Sequence, residues 1–103
     1  MKNTLINKIM FLKIISKVAF EFNLKSKDLN KPDNKKAKNA CAIACFIIYR
    51  ETSLNPNEIA YIFNIDITTV KRNIEYISIL DSQKGKDFEL ILIKEKVLNN
   101  FDN

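Results

Sequence analysis

The chain has 103 residues, enough for one hydrophobic core and too few for a core plus a large enzyme cleft. Hydrophobic residues make up 47% and charged residues 28%, which fits a globular chain rather than a disordered one. The net charge of +5 favours polyanionic partners, nucleic acid or an acidic membrane surface, and the single glycine argues against a turn-rich β fold and a glycine-rich phosphate loop.

In chain order, residues 5–22 place Leu5, Ile6, Ile9, Met10, Leu12, Ile15, Val18, Ala19 and Phe22 at helical spacing with a broad apolar face. Lys13 and Lys17 interrupt the run and no small-residue cleavage site follows, so a core helix is expected rather than a signal or a membrane span. Asn23 suits the left-handed position that ends a helix. Ser26 is expected to cap a short turn over 26–29. Residues 30–36 hold Pro32, Lys31, Lys35 and Lys36 and read as a basic surface loop. An alanine-rich helix is expected over 37–50, ended by Thr52 and Ser53. Cys41 and Cys45 share its face and read as reduced core residues; without histidine they cannot complete a zinc site.

Asn55, Pro56 and Glu58 form a helix-start signal, with Asn55 as cap, Pro56 in first position and Glu58 completing a capping box. That helix should run to Phe63 and bury Ile59, Ile62 and Phe63. Asn64 and Ile65 make a tight turn, and Asp66 is expected to cap the next helix. There Ile67, Val70, Ile74 and Ile77 form one buried stripe. Residues 81–86, with Gly85, read as a loop. Residues 87–101 are expected to be helical, although a β-hairpin wing pairing 88–93 with 76–80 is an alternative. Tyr49, Tyr61 and Tyr76 are expected as half-buried packing residues.

Residues 55–77 thus have the layout of a helix-turn-helix, in which a short helix braces a second that enters the DNA major groove. Ala60 allows the two helices to approach closely. The second helix leaves Thr68, Thr69, Lys71, Arg72, Glu75 and Tyr76 outward or lateral. Thr68 and Thr69 can reach phosphate or base edges, Arg72 can fork onto guanine, and Lys71 can pair with the backbone. No histidine, glycine loop or paired-carboxylate motif is present, so no enzyme activity, cofactor, nucleotide or metal is expected.

The same residues carry a resemblance. Residues 18–29, ending in Asp28 and Leu29, look like a long helix followed by a hydrophobic-x-x-x-Asp-Leu turn. Residues 37–52 look like an alanine-rich helix ending near Glu-Leu-Thr. Glu58, Ile59 and Ala60, followed by Asp66, Ile67, Thr68, Thr69 and Val70, look like Glu-Ile-Gly followed by Asp-His-Thr-Thr-Val. Together, over roughly 12–80, the chain resembles the C-terminal DNA-binding domain of the bacterial replication initiator DnaA, which has a Trp-repressor-like fold. The resemblance implies a single all-α domain over 1–103. It would be a bundle of five to six helices, with a helix-turn-helix at 55–80 and a basic loop at 30–36. It implies major-groove contacts at Asp66, Thr68 and Thr69, and minor-groove or backbone contacts from Lys31, Lys35 and Lys36.

Ile67 stands where the signature has histidine. The turn before Asp66 is one residue short and lacks the family's Gly-Gly-Arg. Lysines stand where the family's loop has arginines, and a lysine reads base edges less well than arginine's fork. The expected function is double-stranded DNA binding by a cytoplasmic regulator, or by a replication or mobile-element accessory. The alternative is a protein-interaction module on a scaffold that no longer binds DNA. The apolar first helix leaves a homodimer open. The resemblance carries no ATPase or origin-melting activity, because no Walker motif is present.

Overall fold

A computed structural model describes the backbone of residues 4–80 and 88–102, and the side chains of 7–80 and 90–99. Among these residues the chain is all-α, with five α-helices and one 3-10 turn. In order they are α1 (Thr4–Glu21), the 3-10 turn (Ser26–Leu29), α2 (Lys35–Glu51), α3 (Pro56–Phe63), α4 (Ile67–Leu80) and α5 (Phe88–Asp102). The expected loop at 81–86 lies outside the described residues. The hairpin wing does not form: 76–80 belong to α4 and 88–93 to α5.

The alanine-rich helix α2 is the axle. It contacts α1, α3, α4, α5 and the 3-10 turn. Composition explains this, because Ala40, Ala44, Cys41 and Cys45 are all buried and short, so neighbours can approach on several sides. Ile43, Ile47 and Ile48, fully buried, fill the space between them and Ile14, Val18, Ile59, Val70, Ile77 and Val97. Both cysteines are free thiols.

Helix ends follow local chemistry. Asn23 adopts φ 59°, and the Leu24 amide donates to Ala19 O at 2.8 Å while the Asn23 amide donates to Phe20 O at 3.0 Å. This is the Schellman arrangement, which satisfies the last carbonyls of α1. The same device ends α3. Asn64 has φ 55°, Ile65 N–H donates to Ala60 O at 3.1 Å and Asn64 N–H to Tyr61 O at 3.3 Å. At the start of α3 the capping box is formed in both directions, each bond 2.9 Å. Thr52 closes α2, its hydroxyl donating to Ile48 O at 2.7 Å.

Three local expectations are corrected. The cap of the 3-10 turn is Lys25, not Ser26: Asp28 reaches back to accept from the Lys25 amide at 2.9 Å. Helix α2 starts at Lys35 rather than 37, because Asn34 caps it by accepting from Ala37 N–H at 2.8 Å. Lys35 and Lys36 are therefore first-turn helical residues, and the basic loop is shorter than 30–36. Asp66 precedes α4 and its carbonyl accepts from Val70 N–H, yet none of the described residues donates to its carboxylate.

Burial departs from periodicity on α1, whose apolar face is broader than its neighbours can cover: Ile9 and Leu12 remain exposed. Tyr61 is 89% exposed and so is not a packing residue. Conversely, Lys94 of α5 is 2% exposed, with its ammonium 5.4 Å from the Phe46 ring centroid and 3.5 Å from Glu95 Oε2.

Candidate nucleic-acid interface

Helix α4 rests one side on the core and leaves the other in solvent. Val70 and Ile77 are fully buried, and Ile67 and Ile74 are half-buried against them. Thr68, Lys71, Arg72 and Glu75 are exposed, and their spacing places them on one stripe. Thr69 is half-buried at the edge of that stripe. Positive and hydroxyl groups occupy its N-terminal half, while Glu75 puts a negative charge further along. The helix amides at the start of α4 favour an anion there, but the exposed Asp66 carboxylate beside them already supplies one negative charge.

The chain before α2 is tied to the turn between α3 and α4. Lys31 N–H donates to Phe63 O at 2.8 Å, and the Asn30 side-chain amide donates to Ile62 O at 3.1 Å. These bonds use carbonyls that the end of α3 cannot satisfy within its own helix. Lys31 takes φ 48°, uncommon for a residue with a Cβ, to make this connection. Its side chain is exposed beside the turn.

Between these elements lies a cleft of about 480 Å³. Pro32 and Lys38 form one wall, Asp66, Thr69 and Arg72 the other, with Asn64 at the turn and Cys41 and Asn73 in the floor. The structure therefore brings Asp66, Thr69 and Arg72 together with Pro32 and Lys38, whereas Lys31, Lys35 and Lys36 are not among the residues that line the cleft. Thr68 and Lys71 adjoin them on the exposed stripe. Lys35 lies one turn before Lys38 on the same side of α2. Lys36 is rotated by about 100° from Lys35 and is not aligned with the cleft.

Lys38 and Asn73 are not among the residues the sequence reading proposes for the site, and Asn64 is expected there only as part of the tight turn. Lys38 had a legible signal, three residues after Lys35 on one helix face. Asn73 had none, because it reads as an ordinary polar residue until α4 is laid against α2, where its amide lies 3.9 Å from Cys45 Sγ. Ile67 packs partly against the core and so serves the fold.

The first turn of α2 is electrostatically unusual. Lys35, Lys36 and Lys38 stand at the positive end of the helix dipole and no acidic residue accompanies them in the first turn. Each such charge costs roughly 0.3–1 kcal/mol near an exposed N-terminus. A bound polyanion would relieve that cost. Among the described residues no cluster of cysteine or carboxylate side chains could hold a metal ion. No helix among them is long and apolar enough to cross a membrane. No protein-family model matches the chain, and no curated protein or solved structure matches it significantly.

Proposed function

We propose that this protein binds double-stranded DNA, with α3–α4 acting as a helix-turn-helix and the Lys31–Lys35 side of the molecule gripping the neighbouring backbone. The observation that carries the reading is the cleft in which Thr69 and Arg72 of α4 face Pro32 and Lys38 across the α3–α4 turn. One duplex face can meet both walls at once. On this reading Thr68, Thr69 and Arg72 enter the major groove, with Arg72 suited to guanine. Lys31, Lys35, Lys38 and Lys71 supply phosphate contacts, while Lys36 points away from the cleft, and Asp66 accepts from a base amino group or orders its neighbours.

The succession of long helix, 3-10 turn, alanine-rich helix, capped short helix and threonine-bearing helix supports kinship with the initiator's C-terminal domain. Lysine in place of arginine and isoleucine in place of histidine favour phosphate binding over that family's site preference. The role that follows is a regulator, or an accessory in replication or in a mobile element.

The test is fluorescence anisotropy with a labelled duplex pool across a salt series. Binding should weaken steeply with salt, and Lys35→Ala should flatten the log–log slope by about 0.9. Arg72→Ala should weaken the preferred sequence more than random duplex, by about 1–3 kcal/mol. Absence of duplex binding at low salt would overturn the reading and leave the same exposed face to a protein partner.

A further inference from the structure

The last four carbonyls of α3 have no partner inside their own helix. The turn that follows serves two of them: Ala60 O accepts from Ile65 N–H and Tyr61 O from Asn64 N–H. The other two are served by a segment 32 residues earlier in the chain. Ile62 O accepts from the Asn30 side-chain amide at 3.1 Å, and Phe63 O from Lys31 N–H at 2.8 Å. The Asn30 bond is exposed, where water would satisfy the Ile62 carbonyl equally well. Its consequence is geometric. Nor does the fold need it to hold the segment. Leu29 on one side and Ala37 on the other are buried and anchor the chain, while residues 30–36 between them are exposed or half-buried.

The connection is made against local preference. Among the described residues three non-glycines have positive φ, and two of them are asparagines, which tolerate it. The third is Lys31, and Pro32 after it narrows its choices further. Such a backbone persists only where its surroundings over-determine it, and it is concentrated at functional sites. What the two bonds fix is the place of Pro32, on one wall of the cleft, relative to Asn64 at the turn and Asp66 and Thr69 on the other wall.

We propose that Asn30 is a positioning residue for DNA recognition: its bond to Ile62 O fixes the basic segment to the turn of the helix-turn-helix and so sets the register of α4 in the groove. The inference rests on the DNA-binding reading. Phosphate contacts place a protein on the duplex and base contacts read the sequence. The two kinds reinforce each other only when the elements that make them are held at a fixed separation. Asn30 is uncharged and makes neither contact. It joins the segment that bears Lys31 to the turn that leads into Thr68, Thr69 and Arg72. Releasing it leaves every phosphate-binding charge in place and lets the two elements shift against each other. Affinity for duplex of any sequence then persists, while discrimination between sequences is lost.

The test compares the wild type with Asn30→Ala by fluorescence anisotropy across a salt series, on a duplex that the wild type selects from a random pool and on the random pool itself. Asn30→Ala should cut the ratio of the two affinities by at least about fivefold, the lower end of what one bidentate base contact contributes. Its affinity for random duplex should stay within about twofold and its salt slope should not change, because no cation is lost. A residue that only stabilised the fold would lower both affinities together. Without DNA, the Lys31 amide should be protected from hydrogen exchange in the wild type and exchange faster in the variant. An unchanged ratio, a parallel loss of both affinities, or an unprotected Lys31 amide in the wild type would overturn the proposal and leave the DNA reading standing. A wild type that binds no duplex would instead overturn that reading, and this inference with it.

Discussion

Cys41 shows how a residue can line a site without serving its chemistry. It lies in the floor of the cleft, yet it is buried and faces Cys45 one helical turn on. The hydrogen bond with Cys45, then burial, then the charge that a Cys45 thiolate would place beside it hold the Cys41 thiol far above its ordinary value of 9.0. It is a neutral, unreactive thiol in the folded protein. The unfolded chain ionises this group near 9.0, while the folded chain keeps the proton. Stability from this thiol is thus fully present below that pH and falls above it, by about 1.4 kcal/mol per pH unit. Urea midpoints compared between pH 8 and pH 10 should show this extra decline, and Cys41→Ala should remove it. An identical decline in the variant would contradict the assignment.

At the scale of the element, the start of α2 and the start of α3 make opposite cases. Helix α3 begins with a complete capping box, so Asn55→Ala should cost about 1 kcal/mol in urea unfolding. The effect should be structural only, with no change in the salt slope of the proposed DNA binding. Helix α2 begins with lysines against its own dipole. Lys35→Glu should therefore raise stability, by roughly 0.3–1 kcal/mol, while weakening duplex binding. A variant that loses stability and binding together would show that Lys35 serves the fold instead. The capping signals at Asn55, Pro56 and Glu58 were legible because they are local: each bond spans three residues. The start of α2 is not legible in the same way, because Lys35 and Lys36 look like loop residues and only the Asn34 cap admits them to the helix.

For the whole molecule, stability rests on α2 and the side chains that converge on it. Phe63 is 1% exposed at the end of α3, where it also lends its carbonyl to Lys31. Phe63→Ala should cost about 3–5 kcal/mol, measured by urea unfolding, and in a domain of this size that approaches the whole margin. A cost under about 1 kcal/mol, comparable to a surface change, would contradict the packing of Phe63 between α2 and α3.

Helix identity, the capped start of α3, the turn at Asn64 and the buried stripe of α4 follow from short-range rules, so the residues themselves determined them. Period, caps and left-handed asparagines act within a few residues of one another. What only the tertiary structure decided is long-range. The Asn30 and Lys31 bonds to the end of α3 join residues about thirty apart in sequence and put the basic segment beside α4. The exposure of Leu12 and Tyr61, and the places of Lys38 and Asn73 in the cleft, likewise depend on which helix lies against which. Periodicity tells a helix which side to bury but not how much its neighbours will cover. The choice at 88–93 between helix and strand also fell to tertiary packing, since a short apolar run satisfies both periods until a partner surface selects one.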